Sequence, residues 1–358
     1  MLSGQCLRVI MDNHLIREHR GAKEREAMAK SIFVGIDLGG TSLLAVATTR
    51  KGKILGEKKR KTRAEEGASA ILERIVQAVH DAVSGAGAKM KNVRAVGIGA
   101  PGPLNPREGV IIHAPNLGPT WNNLPIAAYL SEKFGCPVYL ENDVNVGAVG
   151  EQALGSGRGY KSLVAIFVGT GIGGGIILNG KLYQGTRYTA AEVGHTVLLA
   201  DGPLCGCGKH GCAEALASRT AIDREIRSGI AAGRKSLIPE IMTELGREDM
   251  SSSIIATALE RGDALTQEVM AKAEYYMGLL VASVVNMLDP EVIVLGGGLV
   301  ERLGERYLEP VRETAEQYYL NQQDKDKIHI VESELKDYAG VLGAAILAVR
   351  YSKRKKKK

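Results

Sequence analysis

One local pattern occurs twice. From Val34 an apolar run ends in the turn Gly39-Gly40-Thr41, and from Val164 another ends in Gly169-Thr170-Gly171. Each turn leads into a further apolar run and then a Gly-Lys hairpin, at Gly52-Lys53 and at Gly180-Lys181. Short apolar runs bounded by turn residues read as buried strands. Their repetition reads as one supersecondary unit used twice. Helical spacing follows in both halves: Glu65 to Val83 repeats apolar residues at Ile71, Leu72, Ile75, Val76 and Val79. Leu265 to Leu288 forms a long helical stretch stopped by Asp289-Pro290, and Gly340 to Arg350 forms a last one. Shorter elements are expected at Ile54–Arg60, Val93–Ile98 and Val138–Leu140 (strands), and at Leu124–Phe134 and Val144–Leu154 (helices). Alternating strands and helices in two similar halves predict an α/β protein of two domains with a cleft between them.

Length fits two domains: the chain has 358 residues, 45% of them apolar, enough for real cores. The formal charge of +6 is concentrated at one end, since residues 353–358 are all basic and the rest carries 40 basic against 40 acidic residues. Such a run reads as a solvated tail. It lacks the organised recognition element that sequence-specific nucleic-acid binding needs. No apolar run approaches the ~18 residues that span a bilayer, and charges at Arg8, Asp12, Arg17, Glu18 and Arg20 rule out a secretory signal in residues 1–30. The five cysteines include a tight trio, which reads as metal binding in a reducing compartment, hence a cytoplasmic protein.

Three glycine turns close three apolar strands: Gly39-Gly40-Thr41, Gly169-Thr170-Gly171 and Gly296-Gly297-Gly298. Glycine lets backbone N–H groups approach a phosphate, and the threonines add hydroxyls. Asp37, just before the first turn, is placed to hold Mg²⁺ through water. Each turn alone is commonly just a tight turn; three together, with Asp37 before the first, shift the balance toward phosphate binding. Neither a Walker A loop nor a Rossmann GxGxxG stands at these turns. His195, Cys205, Cys207 and Cys212 offer one imidazole and three thiols, a donor set for tetrahedral Zn²⁺. No position is left for an activated water, so the expected role is structural. His210 competes as the nitrogen ligand but sits inside the turn.

These motifs resemble the ROK family of sugar kinases and related repressors, within the actin-like (hexokinase) fold. The resemblance spans Ser31 to Arg350. It is carried by Asp37-Leu38-Gly39-Gly40-Thr41, by residues 169–175, by Glu192-Val193-Gly194-His195, and by the cysteine stretch from Cys205 to Glu214. It implies a duplicated fold with a small domain (31–140 plus 339–352) and a large one (141–338) carrying the zinc motif. A flexible N-terminal extension (1–30) and a basic tail (353–358) flank them.

The resemblance further implies transfer of the γ-phosphoryl group of ATP to the 6-hydroxyl of a hexose, glucose before N-acetylmannosamine or N-acetylglucosamine. Asp143 stands as general base. Gly102, Asn116, Asn142, Glu192, His195 and Glu214 stand as sugar contacts. Asp37, Gly39, Gly40, Thr41, Gly169, Thr170, Gly171, Gly297 and Gly298 hold ATP and Mg²⁺. A role in glycolysis and a homodimer or dimer of dimers also follow by resemblance. Asp143 has a second reading, as N-cap of the helix starting near Val144. A repressor would need a DNA-reading module ahead of Ser31, and 30 residues are too few for one.

Overall fold

The computed structural model describes residues 31–354. The expectations for residues 1–30, and for the tail beyond Arg354, lie outside them. The described residues divide into two units, 31–143 with 344–354 and 144–343.

The first unit opens with β1 (Ile32–Leu38), β2 (Ser42–Thr48) and β3 (Ile54–Lys61), paired antiparallel. Helix α1 (Gly67–Gly85) follows. Then come β4 (Val93–Ala100), the small ribbon of β5 (Leu104–Asn105) and β6 (Val110–Ile111), helix α2 (Ile126–Phe134) and β7 (Val138–Asn142). Helix α3 (Asp143–Leu154) begins at the unit boundary. The sheet order is β3-β2-β1-β4-β7, with β1, β4 and β7 parallel. Alternation along β1 and β2 sends Ile32, Val34, Ile36, Leu43 and Ala45 into a core with Ile71, Leu72, Ile75 and Val79 of α1. Burying each such Ile or Leu is worth about 1.5–3 kcal/mol. Gly56 is required where β3 meets α1, because a Cβ there would lie 2.4 Å from the Ala82 carbonyl oxygen.

The second unit repeats the scheme with β8 (Leu163–Val168), β9 (Ile172–Leu178) and β10 (Lys181–Leu182) antiparallel. An insertion follows: short helix α4 (Ala213–Ala217), then α5 (Arg219–Ala231), α6 (Ile238–Glu244) and α7 (Ser252–Glu260). Helix α8 (Ala264–Leu288) leads to β11 (Val292–Gly296), α9 (Gly298–Leu303), α10 (Glu305–Gln317) and β12 (His329–Glu332). Helix α11 (Ala339–Arg354) carries the chain back to the first unit. The order β10-β9-β8-β11-β12, with β8, β11 and β12 parallel, matches that of the first sheet strand for strand. Beyond Ala344, α11 covers the second face of the first sheet, where Phe33, Ala95, Ala348 and Val349 pack together. Gly97 permits this approach: its Cβ would sit 1.9 Å from the Ala344 carbonyl oxygen.

Several element ends differ from expectation. Helix α2 starts at Ile126 because Pro125 precedes it, and proline removes a donor and fixes the entry angle. Strand β7 runs to Asn142, and α3 starts at Asp143 itself, so Asp143 is a first-turn helical residue rather than one outside the helix. Among the described residues, no helix is long and apolar enough to cross a membrane.

Candidate active site and metal centre

In the first unit, parallel β1, β4 and β7 end on the same edge of the sheet, which places Gly39–Thr41, the loop at Gly102 and Asn142–Asp143 along one rim. The register aligns Asp37 of β1 and Glu141 of β7 on either side of Gly99. Glu141 is fully buried and its Oε1 accepts the Asn142 N–H at 3.0 Å, which fixes the end of β7 just before Asp143. Sequence reading passed over Glu141; an acid inside an apolar strand was the available signal. A Cβ on Gly102 would come within 3.9 Å of the Asn142 amide nitrogen, so that loop lies against the Asn142 side chain. A Cβ on Gly40 would lie 3.0 Å from the Asn116 carbonyl oxygen, so the first glycine turn and Asn116 are neighbours. Asn116 is exposed, while Trp121 beyond it is buried in the core and anchors the loop.

In the second unit, Gly169-Thr170-Gly171 closes β8, and Gly297 (φ 90°) closes β11 so near it that a Cβ would meet the Val168 carbonyl oxygen at 2.5 Å. The two turns therefore lie side by side. Arg219, at the start of α5, donates to the Thr170 hydroxyl oxygen at 2.8 Å and to the Met250 carbonyl at 3.0 Å. Its backbone N–H donates to the Gly169 carbonyl, and the Thr220 hydroxyl donates to the Thr170 carbonyl. Arg219 is a residue of the second glycine turn's surroundings that sequence reading missed. It lies 49 positions from Thr170, and only folding brings it there.

The segment from Glu192 to His195 makes one 3₁₀ turn, with Glu192 exposed. Gly194 is demanded there, since a Cβ would lie 2.1 Å from the Ile172 carbonyl oxygen. Glu214, in α4, reaches the same strand start: its Oε2 accepts the Ile172 N–H at 3.0 Å, and its Oε1 lies 3.5 Å from the Cys205 sulfur.

The four expected metal ligands converge. The ligand atoms of His195, Cys205, Cys207 and Cys212 all lie within 4.8 Å of one another. Cys205 Sγ is 3.7 Å from His195 Nδ1, and Cys207 Sγ is 3.7 Å from Cys212 Sγ. A tetrahedral zinc with ~2.3 Å Zn–S bonds sets sulfur atoms ~3.8 Å apart, so the donor set fits that ion. The Cys205 N–H donates to the Lys209 carbonyl, tying off the loop that presents Cys205 and Cys207. His210 Nδ1 instead faces the Gly202 carbonyl at 3.0 Å, away from the cluster. Burial pushes the Cys205 thiol up to about 12 and raises Cys212. The Lys209 N–H lowers Cys207.

Comparisons with known proteins identify the family and the fold. The family pattern described as "ROK family" matches residues 33–351. A glucokinase of Thermotoga maritima is 35% identical over 318 residues, covering 89% of this chain and 97% of the relative. The crystal structure of a ROK hexokinase from Thermus thermophilus superposes with a TM-score of 0.76 at 34% identity, covering 90% of this chain and 99% of that one. A ROK glucokinase from Streptomyces griseus, solved with glucose and AMPPNP, gives a TM-score of 0.74 at 32% identity, covering 89% and 100%. Two sheets of the same order and sense, glycine turns closing their parallel strands and a family match over nearly all described residues lead to one conclusion: the chain belongs to the ROK family, with a mixed α/β fold of the actin-like ATPase type.

Proposed function

We propose that this chain transfers the γ-phosphoryl group of ATP to the 6-hydroxyl of glucose, with Asp143 as general base. That it is an ATP-dependent sugar kinase follows from its family and its glucokinase relatives. The choice of glucose is supported by those relatives. The choice of Asp143 is supported by one observation: β7 ends Asn142-Asp143 on the rim that also carries Gly39–Thr41 and Gly102. Ligands of parallel α/β sheets gather at the carboxyl ends of the strands.

The Asp143 carboxylate accepts the proton of the 6-hydroxyl as its oxygen attacks the γ-phosphorus. The bond from the γ-phosphorus to the bridging oxygen breaks, and ADP leaves with that electron pair. Such transfer requires mostly positioning and neutralisation of charge. The turns Gly39–Thr41, Gly169–Gly171 and Gly297–Gly298 hold the phosphates through backbone N–H groups other than those of Gly39 and Gly169, which close the turns on the Ser42 and Gly171 carbonyls, and Arg219 fixes the Thr170 hydroxyl. Bound Mg²⁺, held near Asp37, supplies charge neutralisation at the phosphates. Asn116, Asn142, Glu192, His195 and Glu214 hold the sugar hydroxyls, which both donate and accept. His195, Cys205, Cys207 and Cys212 would hold zinc, which when bound would fix the segment carrying His195 and Glu214 without taking part in the transfer.

The reading places the protein in the cytoplasm as a homodimer, which light scattering on the purified chain checks. The central test is ADP release from MgATP with glucose, mannose, fructose, N-acetylglucosamine or N-acetylmannosamine offered singly. Turnover strongly favouring glucose supports the proposal. Preference for an N-acetyl sugar moves the substrate and keeps the mechanism. Sugar binding without turnover assigns the chain a sensor role and overturns the proposal.

A further inference from the structure

The first sheet has a second, opposite edge, where β1, β4 and β7 begin. A cavity of about 450 Å³ lies there, lined by residues of the first unit only. That volume is in the range of small-molecule sites, ~300–1,000 Å³. Strands of seven or eight residues at ~3.3 Å per residue put it roughly 20 Å from the glycine-turn rim. It is therefore separate from the residues assigned to phosphoryl transfer.

Its lining has a definite chemistry. Arg50 comes from the β2–β3 hairpin, Arg94 from the start of β4 and Lys353 from the end of α11. Three segments distant in sequence thus bring three cations to one cavity, and no carboxylate is among its lining residues. None of the three has an acidic partner among the described residues. Arg94 makes one bond of ordinary kind, from Nε to the Ser31 hydroxyl at 3.3 Å. By contrast, Lys58 and Arg60 on the neighbouring strand both pair with Asp81. The cavity also contains a buried polar atom without a partner among the described residues, the Tyr139 hydroxyl oxygen. Buried hydroxyls are nearly always bonded, so this one calls for an explanation. The exposed Pro137 ring adds an apolar wall, with the nearly buried Phe33 behind it.

We infer that this cavity binds a small phosphate monoester carrying a ring. Guanidinium groups bind phosphate through paired N–H donors, with Lys353 as a third point of charge. The Tyr139 hydroxyl donates to the same anion or to the ring substituents, and the ring packs on Pro137. A bare inorganic phosphate meets the cations but leaves the apolar wall in water, so it binds more weakly.

The test titrates the full-length chain with phenyl phosphate and with inorganic phosphate by calorimetry at low ionic strength. Glucose and a non-hydrolysable ATP analogue are present at saturation to fill the transfer site. Phenyl phosphate is expected to saturate, and inorganic phosphate to bind about tenfold more weakly, both weakening as salt rises. Arg50→Glu and Arg94→Glu are each expected to weaken phenyl phosphate binding at least ~10-fold, with glucose-dependent ADP release unchanged. Lys353→Glu, at an exposed helix end, serves as the third variant should either arginine variant lose its thermal transition. Unchanged affinity in the folded charge variants overturns the inference. So does the absence of saturation up to about 10 mM. Equal binding of inorganic and phenyl phosphate overturns the assignment of a ring-bearing ligand.

Discussion

The carboxylate of Glu214 accepts the backbone N–H of Ile172 at 3.0 Å, joining the helix beside the cysteine cluster to the strand that follows the second glycine turn. Its other oxygen lies 3.5 Å from Cys205 Sγ. One side chain thus ties the candidate metal centre to the candidate nucleotide site. Removing it has two separable consequences. Glu214→Ala leaves the Ile172 N–H without its acceptor, at a cost of about 1–3 kcal/mol. Glu214→Gln keeps an acceptor oxygen there, so its thermal midpoint should stay close to that of the unaltered chain. Both substitutions are expected to raise KM for the sugar by about 10–100-fold, the usual range for a residue supporting a metal site. Equal thermal loss in both variants, without a change in KM, would remove Glu214 from the sugar site.

Asp143→Asn should fold normally, because Asn has nearly the shape of Asp and α3 is held by the rest of its length. Sugar and nucleotide binding should persist while kcat falls by about 10²–10⁴-fold, the contribution of a positioned base. Steady-state kinetics alongside calorimetric sugar binding check this; a kcat within twofold of the unaltered enzyme removes the base assignment.

The cluster of His195 and the three cysteines should carry about one zinc ion per chain, measured by elemental analysis of freshly purified protein. Cys207→Ser should lose the ion and lower both the thermal midpoint and sugar affinity. Protons compete with zinc for thiolate sulfur, so occupancy should fall as pH is lowered and recover on return to neutral pH with added zinc. Protein purified without metal and with unaltered stability would refute the assignment.

Glu274 on α8 gives a pH prediction of known sign. Burial pushes its carboxyl from 4.5 up to about 7, partly opposed by Arg306. The folded state therefore favours the protonated acid. Its contribution is fully present below about pH 4.5 and is lost as pH rises through about 7. Glu274→Gln should raise the thermal midpoint by a few degrees at pH 8 and by little at pH 5. Equal shifts at the two pH values would show that ionisation of Glu274 does not limit stability.

Much of this was legible in the chain itself. The paired strands and glycine turns could be read because buried strands are short apolar runs with glycine at their ends. The cysteine cluster could be read because its ligands fall within 18 positions, His195 to Cys212. Helices α4 to α7 were not read, since they are short and carry their apolar residues in brief, interrupted stretches. Arg219 could not be read either. Its role depends on a loop 49 positions away, and a lone arginine after Ser218 resembles any first-turn residue of a capped helix. The start of α3 was misplaced by one residue, which matters because Asp143 then belongs to the helix rather than preceding it.

Among the described residues, the outer strands of the two sheets work against edge-to-edge pairing with another copy. Strand β3 is the long outer strand of the first sheet, and its residues Glu57, Lys58, Lys59 and Lys61 all reach solvent. At the outer sides of the second sheet lie only β10, of two residues, and β12, of four. A second molecule approaching β3 to extend the sheet would have to align its own lysines against these, or strip their hydration, while the short strands offer too few hydrogen bonds to hold a newcomer. Replacing Lys59 and Lys61 with threonine would leave the fold intact and make the protein prone to cloud on concentration.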